Sequence, residues 1–174
     1  NKVGYSLVPF NGGAMEHASN ITYPRSSVNG TTEDETLMAH ELAHHWWGNL
    51  ATCETQEDMW LNEGWASYSE WLFLEKKYGW DIAVDDMTST LLPIIRNAHL
   101  NENGYRAISG LPHNLTYGTH TYNKGALVVW NLRTYLGDSL FFSGIQDFLQ
   151  NHAFTSMNSA EFRDELSQST GMDM

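Results

Sequence analysis

At 174 residues the chain has the length of one domain, and its 41% hydrophobic content allows a packed core and argues against disorder. Twenty-one Asp and Glu against nine Lys and Arg give a formal net charge of −12, which excludes most nucleic-acid backbone binding and docking on anionic lipid and suits a cationic or neutral partner. No apolar run nears the ~20 residues of a membrane span, and the lone Cys53 cannot form an internal disulfide.

Residues 1–24 carry the strand signal. Val3, Tyr5 and Leu7 alternate with Gly4 and Ser6, and Ile21 to Tyr23 is again β-prone after a Gly12-Gly13 turn, so a small hairpin or sheet edge is expected. From Thr31 the pattern turns helical. Thr32 and Glu35 have capping-box spacing, and the predicted helix runs to about Trp47 with Gly48-Asn49 as its stop. A second helix starts near Asp58 or Met59, carries Leu61, Trp65, Tyr68 and Leu72 as its apolar stripe, and ends at Tyr78-Gly79. A third spans Asp81 to about Ala98, bent or interrupted at Pro93. Residues 101–118, rich in Asn and Gly, read as a loop. A fourth helix over about 121–136 closes at Gly137, and shorter ones follow near 139–151 and 159–169, the last opened by the Asn158 and Glu161 cap pair. The chain starts without Met or a signal-like segment. It is expected to be one catalytic domain, 1–174, excised from a longer protein, so missing targeting signals say nothing about compartment.

The segment His40-Glu41-Leu42-Ala43-His44 carries the chemistry. Residues four apart lie one above the other on a helix, so both imidazoles can reach one Zn²⁺ while Glu41 sits beside an open coordination position. A catalytic zinc keeps three protein ligands. Glu63, separated from His44 by eighteen residues and in the first turn of the second helix, reaches the same metal if the two helices pair antiparallel. Glu70, seven residues on and on the same face, is placed either to orient a zinc-bound imidazole or in solvent. His45 reads as supporting or packing. His99, His113, His120 and His152 lack ligand spacing and read as surface or core. Lys124 reads as structural, Cys53 as inert, and Trp46 or Trp60 as able to line a cleft.

With His45-Trp46-Trp47-Gly48-Asn49 and Trp60-Leu61-Asn62-Glu63-Gly64 added, the pattern resembles the aminopeptidase N family of zinc metallopeptidases, the gluzincins. Gly13-Ala14-Met15-Glu16-His17 resembles that family's GAMEN exopeptidase motif, and Tyr122-Asn123-Lys124-Gly125 its tyrosine motif. The matches span about residues 12 to 126, in the family's order. The resemblance implies an α+β, thermolysin-like catalytic domain, mainly helical with a small strand-rich edge. It also implies one zinc per chain on His40, His44 and Glu63, with Glu41 as general base and Tyr122 as oxyanion stabiliser. Glu16 would recognise the free α-amino group of a peptide substrate, beside Gly13, Ala14, Met15 and His17. His17 stands where the family has Asn, and is larger and titratable.

The resulting expectation is a zinc aminopeptidase acting on peptides with free N-termini and working with flanking domains of the full-length protein. Two alternatives stay open: a thermolysin-like endopeptidase without amine recognition, and a non-catalytic binding domain that keeps the fold.

Overall fold

The computed structural model describes residues 2–174. Two short strands, β1 (Gly4–Val8) and β2 (Asn20–Pro24), open the chain and pair in parallel register, Gly4 opposite Asn20 and Val8 opposite Pro24. The N-terminal unit is therefore a sheet edge and not a simple hairpin. Alternation of apolar residues specifies a strand but not the direction of its partner. Here the connection reverses at Gly12 and Gly13, both at positive φ, and Met15 then bridges Thr22 antiparallel through two 2.9 Å backbone hydrogen bonds. The groups of Thr22 so used point away from β1, which leaves β2 between β1 and the Met15 segment.

Helix α1 is Glu35–Ala43, shorter at both ends than its sequence suggests. The expected capping box does not form. Thr31 Oγ1 instead accepts from Glu33 N at 3.3 Å, and the Glu35 carboxylate is drawn across to Lys77. At the other end, i→i+3 hydrogen bonds from His45 and Trp46 tighten the backbone into a turn that delivers Trp47 to the core. Strand β3 (Ala51–Cys53) follows, then α2 (Trp60–Tyr78) and α3 (Trp80–Asn101), the latter unbroken across an exposed Pro93. A π-helical turn, His120–Lys124, leads into α4 (Gly125–Asn151), whose two halves join at Gly137 with φ +74°. Strand β4 (Thr155–Met157) pairs in parallel with β3, and α5 (Ser159–Thr170) carries the predicted Asn158–Glu161 capping box. The three-residue β3 and β4 are too short to have left a period in the sequence. Among the described residues, no helix is long and apolar enough to cross a membrane.

Helix α2 is the axis of the molecule, packed by α1, α3, α4 and the π-helical turn. Leu61, Trp65 and Tyr68 of its predicted stripe are buried, and Leu72 packs partly buried against the same core. Trp65 stacks on Trp47 with ring centroids 3.9 Å apart. The tightest crossing joins Gly64 to Gly125. A Cβ on Gly64 would stand 2.9 Å from Gly125 Cα, and one on Gly125 would stand 3.0 Å from Gly64 Cα. Both obstructions are backbone, which cannot rotate aside. Gly64→Ala is therefore expected to destabilise the fold by about 1–3 kcal/mol or more, as overpacking does. Denaturant unfolding reads this, and an unchanged midpoint would mean that the two helices can part freely.

Candidate metal centre

Two elements supply the central cluster. Helix α1 stacks His40 and His44 one turn apart, and the first turn of α2 brings Glu63 up to both. Glu63 Oε2 lies 3.3 Å from His40 Nε2 and 3.2 Å from His44 Nε2, and all three residues are buried. The opposite ring nitrogens are engaged. His40 Nδ1 faces Glu70 Oε1 at 2.8 Å and His44 Nδ1 faces the Trp47 carbonyl at 2.8 Å. Both partners are acceptors, so each Nδ1 carries a hydrogen and each Nε2 faces the shared point beside Glu63, where it can hold a proton or give it up to a metal ion.

This donor set fits zinc. Metal–ligand bonds of roughly 2.0–2.2 Å at tetrahedral angles put neighbouring ligand atoms about 3.3 Å apart, which is the spacing found between Glu63 and each imidazole. The electrostatics agree. Burial works to lower the His40 pKa, but hydrogen bonds with Glu63 and Glu70 outweigh it and lift it to about 10. Burial likewise opposes ionisation of Glu63, yet its hydrogen bonds with His40 and His44 pull it down to about 2. The pocket is built to hold positive charge between these groups.

Around the cluster lies a cleft of ≈ 710 Å³. Glu41 faces it, only 4% exposed, with Oε2 lacking any hydrogen-bond partner. Burial pushes its carboxyl up to about 7, partly offset by His40 and His44, while Glu16 and Glu63 add to the rise. Carboxylate oxygens of Glu16 and Glu41 and a ring nitrogen of His44 lie within 4.8 Å of one another. Tyr122 enters from the π-helical turn, its ring 6.1 Å from that of His40 and nearly parallel to it. Burial, followed by the nearby Glu63 charge, raises its pKa and keeps the phenol a hydrogen-bond donor.

The family model for the peptidase family M1 domain matches residues 5–174. The chain belongs to peptidase family M1. The M1 chain is 32% identical over 189 residues to aminopeptidase N of Streptomyces lividans, covering 95% of this chain and 21% of that one. With aminopeptidase N of Bos taurus it shares 34% identity over 171 residues, covering 86% and 17%. The crystal structure of an M1 zinc metallopeptidase from Deinococcus radiodurans has the same fold, with a TM-score of 0.80 at 24% identity over 96% of this chain and 35% of that chain. The M1 chain thus spans about a fifth of the length of the curated relatives it matches.

Gly13, Ala14, Met15 and Glu16 all border the M1 cleft, together with His40, Glu41, His44, Glu63 and Tyr122. His17 does not; it is exposed, and its carbonyl accepts from Asn20 N at 3.1 Å. Neither tryptophan lines the cleft. Trp60 is core, donating to Ser159 Oγ at 2.8 Å, and Trp46, 49% exposed, borders a second, apolar groove behind α1. Lys124 donates to the Arg106 carbonyl, and His120 is wholly buried. Two residues had no assigned role. Asn49 Nδ2 donates to the Glu16 carbonyl at 2.9 Å, tying the Glu16 segment to the turn after α1. Asn62 bridges Cys53 N (2.9 Å) and Thr52 Oγ1 (3.0 Å), fixing β3 to the start of α2. Both sit inside the motif segments, which is the signal that could have found them. Because Glu70 holds the His40 ring, Glu70→Ala is expected to weaken zinc affinity about 10- to 100-fold. Competition titration against a chelator measures this, and an unaltered affinity would show that His40 needs no outer partner.

Proposed function

We propose that the full-length protein is a zinc-dependent aminopeptidase hydrolysing the N-terminal bond of peptides. The observation that carries the reading is the convergence of three metal donors, an unpartnered buried carboxylate and a second carboxylate in one cleft. His40, His44 and Glu63 hold one zinc ion, whose chemistry when bound is Lewis-acid polarisation of a carbonyl oxygen and acidification of water toward neutral pH. Glu41 Oε2 takes a proton from the attacking water and returns it to the leaving amine nitrogen; an unpartnered, desolvated carboxylate is suited to both transfers. The Tyr122 phenol donates to the oxygen that gains negative charge.

Glu16 supplies the exopeptidase logic. Its carboxylate pairs with a protonated α-amino group, which fixes the distance from that amine to the first peptide bond. Gly13, Ala14 and Met15 border the cleft beside it. Flanking parts of the longer protein complete the domain. Supporting this is the ≈ 720 Å³ groove behind α1, bordered by Tyr5, Leu7, Tyr23, Met38, Trp46 and Phe73, a mainly apolar surface suited to covering by another segment.

In the full-length protein, Glu41→Gln should lower kcat on aminoacyl amides by about 10²- to 10⁴-fold while zinc content holds. Glu16→Ala should raise KM for free-amine substrates about 10- to 100-fold, the worth of a charge-assisted hydrogen bond. Equal rates on free and N-acetylated peptides would instead favour an endopeptidase. Chelation should abolish turnover, and activity retained without metal would overturn the reading.

A further inference from the structure

Behind the cleft, the segment 102–124 closes on a buried carboxylate–imidazole pair that no step of the proposed reaction uses. Glu102 caps the C-terminus of α3 and is 7% exposed; His120 opens the π-helical turn and is 0% exposed. One Glu102 oxygen accepts from Thr119 N. The other accepts from His120 N at 3.3 Å and from His120 Nδ1. The far nitrogen, Nε2, accepts from Arg106 N at 3.1 Å. The partners leave no freedom in the tautomer, with Nδ1 donating and Nε2 accepting. Arg106 Nε donates to the Glu102 carbonyl at 3.2 Å, and Lys124 Nζ to the Arg106 carbonyl, so both ends of the turn are tied to the segment 102–106. Gly118 completes the seat, since a Cβ there would stand 2.6 Å from Glu102 Oε1.

The turn held in this way is not an ordinary helical one. Lys124 N reaches back five residues to the Thr119 carbonyl at 3.0 Å, which inserts one extra residue into the start of α4. Tyr122 lies in the middle of that insertion, and its direction depends on the extra residue being kept. Packing alone does not call for a buried polar pair here. Burying a carboxylate and an imidazole has a desolvation cost that an apolar pair of equal volume avoids. What the pair adds is a single geometry.

We propose that Glu102 and His120 are positioning residues that set the Tyr122 phenol over the metal cluster. The inference rests on the aminopeptidase reading for its kinetic consequence, but not for its structural one. Neither residue borders the cleft, so substrate binding is untouched by them.

The test uses the full-length, zinc-loaded protein. Glu102→Gln places an amide where three donors converge, and should lower kcat on an aminoacyl amide about 10- to 100-fold, the scale of a misplacement of about 1 Å, with KM within about twofold. Zinc content should not change. In a Tyr122→Phe background the same substitution should cost no more than about twofold further, because residues acting through one group are not additive. His120→Asn, whose amide can replace Nδ1 as donor, should keep most of the activity, while His120→Leu should not; this pair serves equally if Glu102→Gln fails to fold. An unchanged kcat, an equal loss in the Tyr122→Phe background, or a parallel loss of zinc and KM would each overturn the proposal. Absence of turnover by the unaltered protein would instead refute the aminopeptidase reading. Crystal structures of the Glu102→Gln and unaltered proteins then decide the latch. A phenol displaced relative to His40 and Glu63 supports it, and an unmoved phenol overturns it.

Discussion

Contact between two backbones, at Gly64 and Gly125, sets the distances on which the site depends. Glu63 immediately precedes one glycine and Tyr122 lies three residues before the other, so the crossing of α2 and α4 brings a candidate metal donor and a phenol to one place from distant parts of the chain. Any side chain at the crossing would part the helices by several tenths of an ångström at least. The cluster has little tolerance for this, since its donor spacings already match tetrahedral coordination. The smallest residue is required next to the most demanding one.

Charge is handled in layers. The chain is acidic overall, yet the carboxylates at the cleft have different environments. Glu63 is pinned by two imidazoles and stays ionised, Glu70 is engaged with His40 from outside, and Glu41 is desolvated with a free oxygen. Groups of one chemical type thus take up different protonation behaviour because burial and hydrogen bonding differ among them. Tyr122 is kept neutral by burial first and then by the negative charge of Glu63.

Much of this was legible in the residues, for identifiable reasons. His40, His44 and Glu63 stand on helices, where spacing translates directly into direction, and the Asn158–Glu161 cap is wholly local. What escaped was non-local. The parallel pairing of β1 with β2 depends on a loop that returns to the far edge of β2. Thr32 and Glu35 have cap spacing, but Lys77 outcompetes the cap from another helix. Glu102 and His120 face each other across a stretch without periodicity, and His120 alone looked like any core histidine. His17 belonged to a motif by position only; the backbone turns it out toward solvent.

Helix α1 has two working faces. One carries the imidazoles; the other, through Met38 and Leu42 and with Trp46 from the turn that follows, forms the floor of the apolar groove. That groove lies directly behind the cluster of His40, His44 and Glu63. Any shift of α1 toward or away from the groove would move His40 and His44 relative to Glu63. The geometry of the cluster is therefore only as steady as the packing on the side of α1 that faces away from it.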